Sequence, residues 1–255
     1  MQLNGYSVIV TGAGSGLGEV TARHFAGQGM KVAVFDVNME GAERVAKDIG
    51  GVAVHCNVSS ASAAETAFER SRAAIGPARV LVNCAGIGPA RAIVSRDGTP
   101  MPLEAYAQVI EVNLIGTFNC LRLAAADMAT LDPLEDGERG VIINTASVAA
   151  YEGQVGQVAY ASSKGGVVGM MLPAARELAR YGVRVLTIAP GFIQTPLMDT
   201  VPEDFQQNLM KSQLFPRERF GKAEEYAKLC QSICEITYLN GDVIRLDAGA
   251  RMPPR

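Results

Sequence analysis

Three side chains in the second half of the sequence have the types and spacing needed for proton transfer with an alcohol. Tyr160 and Lys164 are four residues apart in a segment of helical character, so a phenol and an ammonium would share one helix face. Ser147 ends an apolar run thirteen residues earlier. A neighbouring ammonium lowers the pKa of a phenol, so Tyr160 could accept a proton while Ser147 donates a hydrogen bond to the substrate oxygen. For the Tyr160 and Lys164 pair alone, the alternative is an exposed helix face.

A glycine-rich loop lies near the start of the chain, between an apolar run and a helical pattern. Its sequence is TGAGSGLG, with Gly12, Gly16 and Gly18 in a Gly-x3-Gly-x-Gly spacing. Glycines let the backbone approach a phosphate closely, and the start of the following helix supplies free N–H groups. The loop therefore predicts a pyrophosphate-binding site. A tight turn without a ligand is the alternative.

An acidic residue further along strengthens this interpretation. Asp36 ends the second apolar run, eighteen residues after Gly18, which is close to the ~20 expected for a carboxylate that binds the adenosine ribose hydroxyls. A carboxylate there repels a 2′-phosphate, and positions 13, 15, 17, 37 and 38 hold no lysine or arginine. We therefore predict NAD rather than NADP as the cofactor, with a solvated strand-end carboxylate as the alternative. Lys164 would then also bind the nicotinamide ribose, and the oxidised nicotinamide would further favour the Tyr160 phenolate.

The elements that must position these residues alternate regularly along the chain. Short β-branched runs predict strands, and longer amphipathic stretches between them predict helices. Parallel strands joined by helical crossovers form one sheet with helices on both faces. We expect a Rossmann-type α/β fold, a single doubly wound parallel sheet of seven strands, in one domain spanning residues 1–255. Strands are predicted at 6–11, 31–36, 52–56, 79–83, 140–145, 183–188 and 242–246, and helices near 17–28, 40–49, 61–75, 103–129, 157–181 and 222–234.

Composition argues against several other classes of protein. The 255 residues are 48% hydrophobic and 19% charged, which suits a folded chain with a sizeable core. A net charge of -3 provides no basic excess for nucleic acid or an anionic membrane. The sequence also lacks a signal-peptide pattern, and we expect a cytoplasmic protein. Five scattered cysteines and two histidines predict neither a disulfide framework nor a metal site.

Together these motifs resemble the short-chain dehydrogenase/reductase family, over nearly the whole chain. The resemblance rests on the glycine loop, Asp36, NCAG at 83–86, Asn113, Ser147, the Tyr160 and Lys164 pair, and the Pro-Gly pair at 190–191. It implies that Asn113 is a catalytic residue, holding a water molecule that links Lys164 to solvent; a helix-distorting packing residue is the alternative. It also implies a homotetramer, for which the apolar segments 103–129 and 157–181 are candidate interfaces.

The resemblance extends the predicted NAD site beyond the glycine loop. Thr195 would bind the nicotinamide carboxamide, and Asn57 stands where the family usually has an aspartate that contacts adenine. An amide can donate to and accept from adenine, so binding is expected to survive this departure. The full predicted cofactor set is Gly12, Ser15, Leu17, Asp36, Asn57, Val58, Cys84, Gly86, Tyr160, Lys164, Ile193 and Thr195.

Within the family, two stretches resemble the branch that contains type II 3-hydroxyacyl-CoA dehydrogenases, some of which also accept hydroxysteroids. They are RGVIINTASVAAYEGQVGQVAYASSKGG and LNGDVIRLDAGARMPPR. The resemblance implies oxidation of a 3-hydroxyacyl-CoA, with Ser147 and Tyr160 binding the reacting oxygen. A hydroxysteroid dehydrogenase and a non-catalytic NAD-binding scaffold are the alternatives, and the intact Ser147, Tyr160 and Lys164 argue against the scaffold.

The substrate pocket is expected between two loops, at about 89–102 and 191–221. Their apolar residues favour an apolar substrate, although ordinary loop packing would also explain them. Their basic residues could contact the phosphates of CoA, although surface solvation explains any one of them. The apolar set is Phe192, Leu197, Met198, Leu209, Met210, Leu214 and Phe215, and the basic set is Arg91, Arg96, Lys211, Arg217 and Arg219.

Overall fold

A computed structural model describes residues 1–199 and 203–252 of the chain. Within those residues, seven strands form one sheet in which every neighbouring pair is parallel. The strand order is β3-β2-β1-β4-β5-β6-β7, which confirms the predicted doubly wound α/β fold. The strands are β1 Ser7–Thr11, β2 Lys31–Asp36, β3 Val52–His55, β4 Val80–Asn83, β5 Gly140–Thr145, β6 Val183–Pro190 and β7 Val243–Leu246.

Helices cover the sheet, and each of the six predicted helical segments is present. Three short helices, α6, α8 and α9, were not predicted, since four to nine residues carry little periodic signal. The helices are α1 Gly16–Gly27, α2 Met39–Ile49, α3 Ala61–Ile75, α4 Leu103–Ile110, α5 Gly116–Ala129, α6 Ala149–Glu152, α7 Val158–Leu178, α8 Pro196–Asp199, α9 Glu203–Lys211 and α10 Ala223–Glu235.

The predicted helix 103–129 contains a change of winding. A π-helical turn, Glu111–Ile115, joins α4 to α5 and holds the buried Asn113. Among the described residues, Leu103–Ala129 is the one helix long and apolar enough to cross a membrane, and half of its most apolar window is buried inside the protein. Its remaining apolar side chains include Ile115 and Phe118, each about half exposed.

The strand order creates a crevice at one edge of the sheet. β1 pairs with β2 on one side and with β4 on the other, so the chain reverses direction across the sheet between these neighbours. Ligands of doubly wound sheets bind outside the carboxyl ends of the strands at such a switch point. The glycine loop after β1 and the segments after β4, β5 and β6 all lie at this edge.

Side-chain alternation along the strands builds a core on each face of the sheet. Val8 and Val10 of β1 belong to one cluster, together with Phe25 of α1. Ile9, between them, belongs to the other cluster, together with Phe68 of α3. Both faces are therefore buried, which fixes the register of the strands and so the positions of their carboxyl ends.

Candidate active site

The glycine loop is too tightly packed to accept side chains at two of its glycines. Gly12 has φ of +63°, and a Cβ there would lie 2.7 Å from Ala85 Cα. A Cβ on Gly18 would lie 2.7 Å from the carbonyl carbon of Gly12. Ser15 precedes α1 without a side-chain capping bond, so the N–H groups of the first helical turn remain available to an anion. The loop therefore fits a pyrophosphate group.

Asp36 is held in place by the backbone of two neighbouring loops. Its Oδ2 accepts a hydrogen bond from Gly14 N at 2.8 Å, and its Oδ1 accepts one from Asn38 N at 2.9 Å. The carboxylate is thereby fixed beside the glycine loop with lone pairs still free for ribose hydroxyls.

A basic residue also reaches this loop, from a position 30 residues further along the chain. Arg44 of α2 donates from Nη2 to Gly14 O at 3.1 Å and forms two hydrogen bonds with Glu19 of α1. Positions 13, 15, 17, 37 and 38 hold no basic residue, but the fold brings Arg44 to the loop from α2. No sequence signal marks Arg44, because α2 must pack against α1 before the side chain can reach the loop.

Ser147, Tyr160 and Lys164 are brought together in one cavity of 910 Å³ at the carboxyl edge of the sheet. Ser147 follows β5, and its hydroxyl forms a hydrogen bond with the phenol of Tyr160. Ala149 N donates to Ser147 Oγ at 3.1 Å and so holds this side chain. Lys164 Nζ lies 5.6 Å from the centroid of the Tyr160 ring. The predicted i, i+4 pair on α7 is therefore correct.

Burial dominates the electrostatics of this pair. It raises the pKa of Tyr160, while the hydrogen bond from Ser147 acts in the opposite direction. It also lowers the pKa of Lys164 to about 8. For the protein without a bound cofactor, the expected lowering of the Tyr160 pKa is therefore wrong. The Lys164 ammonium donates to Thr145 O at 2.8 Å, and desolvation of the phenol sets the direction of the Tyr160 shift.

Asn113 fastens the loop after β4 to the helix that carries Tyr160. Its Oδ1 accepts from Ile87 N at 2.8 Å, and its Nδ2 donates to Ile87 O at 2.8 Å and to Ser163 Oγ at 3.0 Å. Ser163 Oγ in turn donates to Tyr160 O at 2.7 Å. A Cβ on Gly86 would approach both Asn113 Oδ1 and Lys164 Nζ, so the two side chains flank the same glycine.

A pair of buried residues with hydroxyl groups, Tyr226 and Thr145, lies next to Lys164, and no sequence motif marks this pair. Tyr226 of α10 is fully buried, and its hydroxyl lies 2.7 Å from Thr145 Oγ1 and 3.6 Å from Cys84 Sγ. Thr145 thus contacts Lys164 through its carbonyl and Tyr226 through its hydroxyl. Burial raises the pKa of both Tyr226 and Cys84, so these groups stay neutral at physiological pH.

The remaining predicted cofactor residues fall into two groups. One group lines the cavity with Tyr160 and Lys164, and the other lies outside its lining, around the ends of β1, β2 and β3. Asn57 is partly engaged, because its Oδ1 accepts from the Ser59 hydroxyl at 2.8 Å. The first group is Leu17, Cys84, Gly86, Ile193 and Thr195, and the second is Gly12, Ser15, Asp36, Asn57 and Val58.

The apolar wall of the cavity agrees only partly with the prediction. Phe192, Met198 and Leu209 line it, whereas Leu214 and Phe215 are strongly exposed. Met210 packs against the Phe192 cluster behind the wall, and the side chain of Leu197 lies outside the described side chains. Met252 also lines the cavity and was missed, because its position depends on hydrogen bonding of its N–H to Glu152.

The two predicted substrate loops contribute unequally. Of residues 89–102, only Pro89 and Ala90 line the cavity, and the rest is largely exposed. Arg219 forms an ion pair with Glu225 at 2.8 Å, which explains it without a ligand. Exposed basic side chains are present at Arg91, Arg96, Lys211 and Arg217. Residues 200–202 of the second loop lie outside the described residues.

A parallel α/β fold with a glycine loop that fits a pyrophosphate group, and with a phenol, a hydroxyl and an ammonium in one cavity, defines a dinucleotide-dependent oxidoreductase. The family model for short chain dehydrogenases matches residues 6–206. The chain belongs to that family, and it is an enzyme.

Individual relatives are similar over almost their whole length. The chain is 46% identical over 255 residues to 3-hydroxyacyl-CoA dehydrogenase type-2 of Homo sapiens, covering 99% of this chain and 97% of that protein. The crystal structure of 3-hydroxyacyl-CoA dehydrogenase type-2 from Mycobacterium avium is 39% identical, with a TM-score of 0.92 and 98% of each chain covered.

A more distant solved structure bears on the cofactor. It is a 7α-hydroxysteroid dehydrogenase complexed with NADH and 7-oxo glycochenodeoxycholic acid, 27% identical, with a TM-score of 0.88. The match covers 100% of this chain and 97% of that one. Together with the family, this structure supports a nicotinamide cofactor for the chain.

Proposed function

We propose that this protein oxidises the hydroxyl group of a 3-hydroxyacyl-CoA to the 3-oxo group, with NAD as the electron acceptor. The observation that carries the proposal is the meeting of Ser147, Tyr160 and Lys164 in a cavity with apolar walls beside the glycine loop. The substrate class follows from the similarity to the two 3-hydroxyacyl-CoA dehydrogenases.

The proposed chemistry assigns one task to each side chain. Ser147 donates a hydrogen bond to the substrate oxygen, and Tyr160 accepts the hydroxyl proton. A nicotinamide cofactor held by the glycine loop, Asp36 and Lys164 would supply the hydride acceptor, so an alcohol would yield a ketone, one proton and the reduced cofactor. Lys164 binds the nicotinamide ribose, the hydrogen bond from Ser147 favours the Tyr160 phenolate, and Asn113 holds the water that passes the proton outward.

The choice of NAD rests on Asp36. Its carboxylate is fixed beside the glycine loop, where it would accept hydrogen bonds from both ribose hydroxyls and repel a 2′-phosphate. The pyrophosphate would lie against Gly12, Ser15 and Leu17 at the start of α1. Asn57 and Val58 would bind adenine, and the nicotinamide end would lie against the remaining set: Cys84, Gly86, Ile193 and Thr195.

The acyl chain and the CoA handle would occupy different parts of the site. Phe192, Met198 and Leu209 would contact the acyl chain, while the exposed Arg91 and Lys211 have the charge to bind CoA phosphates. We further propose a single domain that assembles as a cytoplasmic homotetramer. The half-exposed Ile115 and Phe118 support assembly, since a second copy would bury them.

A substrate panel tests the proposal. Purified protein is assayed by NADH absorbance with 3-hydroxybutyryl-CoA, longer 3-hydroxyacyl-CoA esters and a set of hydroxysteroids, with NAD and NADP in parallel. We expect the highest kcat/KM with a CoA ester and NAD. A higher value with a steroid would support a hydroxysteroid dehydrogenase instead, and no turnover with bound NAD would support a scaffold.

Tyr160→Phe tests the catalytic role of the phenol, because the variant keeps the aromatic ring and removes the proton acceptor. We expect turnover to fall at least ~100-fold, the lower range for general acid–base catalysis, with NAD affinity nearly unchanged. Near-normal turnover would contradict the role of Tyr160.

A further inference from the structure

Two side chains of opposite charge contact the glycine loop, and both form hydrogen bonds with the backbone of Gly14. Gly14 N donates to Asp36 Oδ2 at 2.8 Å, and Gly14 O accepts from Arg44 Nη2 at 3.1 Å. The guanidinium of Arg44 therefore adjoins the same part of the loop as the carboxylate that is proposed to bind the ribose.

These two charges favour different cofactors. An acidic residue at the ribose hydroxyls is typical of NAD sites, whereas an arginine nearby accommodates the 2′-phosphate of NADP. The folded chain has both residues beside the loop, so the charge near the proposed ribose site depends on Arg44 as well as on Asp36.

The guanidinium of Arg44 is paired with the carboxylate of Glu19 on α1. Arg44 Nη1 donates to Glu19 Oε1 at 2.7 Å and Nη2 donates to Glu19 Oε2 at 2.6 Å, a bidentate ion pair. Arg23 donates to the same carboxylate at 3.0 Å and also binds Asp48 at 2.8 Å. The hydrogen bond from Arg44 holds the pKa of Glu19 below its usual value, so the carboxylate is charged at neutral pH.

We propose that Glu19 is a specificity-determining residue, which prevents Arg44 from binding a 2′-phosphate and so protects the preference for NAD. The inference rests on the proposed NAD site. The side chain of Arg44 is half exposed, so it can turn towards an anion once its partner is neutral. A phosphate group suits a guanidinium that has lost its partner, because two phosphate oxygens can accept the same pair of hydrogen bonds that the Glu19 carboxylate accepts.

The test measures binding of adenosine 2′,5′-bisphosphate and of 5′-AMP by calorimetry, and so needs no turnover. Glu19→Gln keeps the shape of the side chain and removes its charge. We expect its affinity for the bisphosphate to rise about three- to fivefold, the scale of one exposed charge pair, with 5′-AMP affinity nearly unchanged. The gain should shrink at high ionic strength.

Two further variants separate Arg44 from general charge. Adding Arg44→Ala to Glu19→Gln should return bisphosphate affinity to that of the wild-type protein. Asp48→Asn removes one acidic charge from the same network at a residue that is hydrogen-bonded to Arg23, whereas Arg44 is hydrogen-bonded to Glu19, and we expect a much smaller change in the ratio of the two affinities.

The outcomes are distinct. A gain that survives Arg44→Ala, an equal gain with Asp48→Asn, or an equal gain for 5′-AMP would overturn the role of Glu19, even where NAD binds as proposed. Wild-type protein that binds neither NAD nor 5′-AMP would overturn the proposed cofactor and this inference with it.

Discussion

Lys164 carries its charge inside the protein, where burial lowers its pKa to about 8. An unfolded lysine titrates near 10.5, so the folded chain binds its proton less tightly than the unfolded chain does. Below pH 8 the folded protein therefore bears the full cost of the buried charge. Between pH 8 and 10.5 the unfolded chain binds more protons, and stability recovers as the pH rises. The residue that the proposed chemistry needs is thus a source of instability at neutral pH.

Replacement of this lysine by methionine should stabilise the cofactor-free protein at pH 7. The gain is on the order of 2 kcal/mol, after subtraction of the lost hydrogen bond to Thr145 O from the burial cost. It should shrink steadily from pH 8 to 10.5. Urea unfolding of both proteins at pH 7 and 10 measures it.

The matched control for this prediction is Lys47→Met, at an exposed lysine of α2. Its effect on stability should be small and nearly the same at both pH values. A Lys164→Met protein that is less stable than wild type at pH 7 would contradict the assigned cost of burial.

At the scale of elements, the close approach of the glycine loop to α1 depends on Gly18. A Cβ there would lie 2.7 Å from Gly12 C and 2.9 Å from Ala13 Cα, and these are backbone atoms that cannot move separately. Gly18→Ala should therefore widen the loop and weaken NAD binding by at least about tenfold, because a shift of the backbone misplaces the N–H groups that hold the pyrophosphate. Calorimetric titration with NAD measures the loss.

Gly27→Ala provides the comparison within the same helix. A Cβ at Gly27 meets nothing within 4 Å. Alanine is favoured over glycine in a helix by up to ~1 kcal/mol, so this variant should be equally or more stable and should bind NAD normally. Equal NAD affinity in both variants would show that the loop tolerates a side chain at Gly18.

A hydrogen bond between the hydroxyls of Tyr226 and Thr145 joins α10 to β5. Tyr226→Phe or Thr145→Val alone leaves a buried hydroxyl of the other residue without this partner, and each should cost about 1–3 kcal/mol of unfolding free energy. The double variant replaces both partners by apolar groups of similar shape, and its cost should be well below the sum of the two. Urea unfolding of the four proteins gives the coupling energy. Additive effects would contradict the link.

For the whole molecule, the exposed apolar face of α5 predicts self-association. Phe118 is 51% exposed on a helix whose other side is buried in the core. Phe118→Asp should shift the mass measured by light scattering from a tetramer to smaller species, because burial of a carboxylate in an apolar contact is unfavourable. Tyr238→Asp, at a fully exposed position between α10 and β7, should leave the mass unchanged. A wild-type monomer would contradict the prediction.

Local features of the sequence determined the fold and the chemical centre of the site. β2 and β5 have the bounds predicted from their β-branched runs, since a strand buried on both faces is marked by its own composition. The positions of Tyr160 and Lys164 on one helix face follow from helix geometry alone. The glycine loop and Asp36 could be identified for the same reason, because the constraint that selects each residue acts within a short stretch of chain.

Only the tertiary structure decided which distant residues reach that centre. Arg44 contacts Gly14 across 30 positions of sequence, and Tyr226 contacts Thr145 across 81. Neither residue type nor spacing marks such a pair, because the contact depends on how two helices pack on the sheet. The pKa of Tyr160 is a further case, since desolvation sums over all the surrounding atoms, whereas sequence spacing reveals only the single neighbouring ammonium.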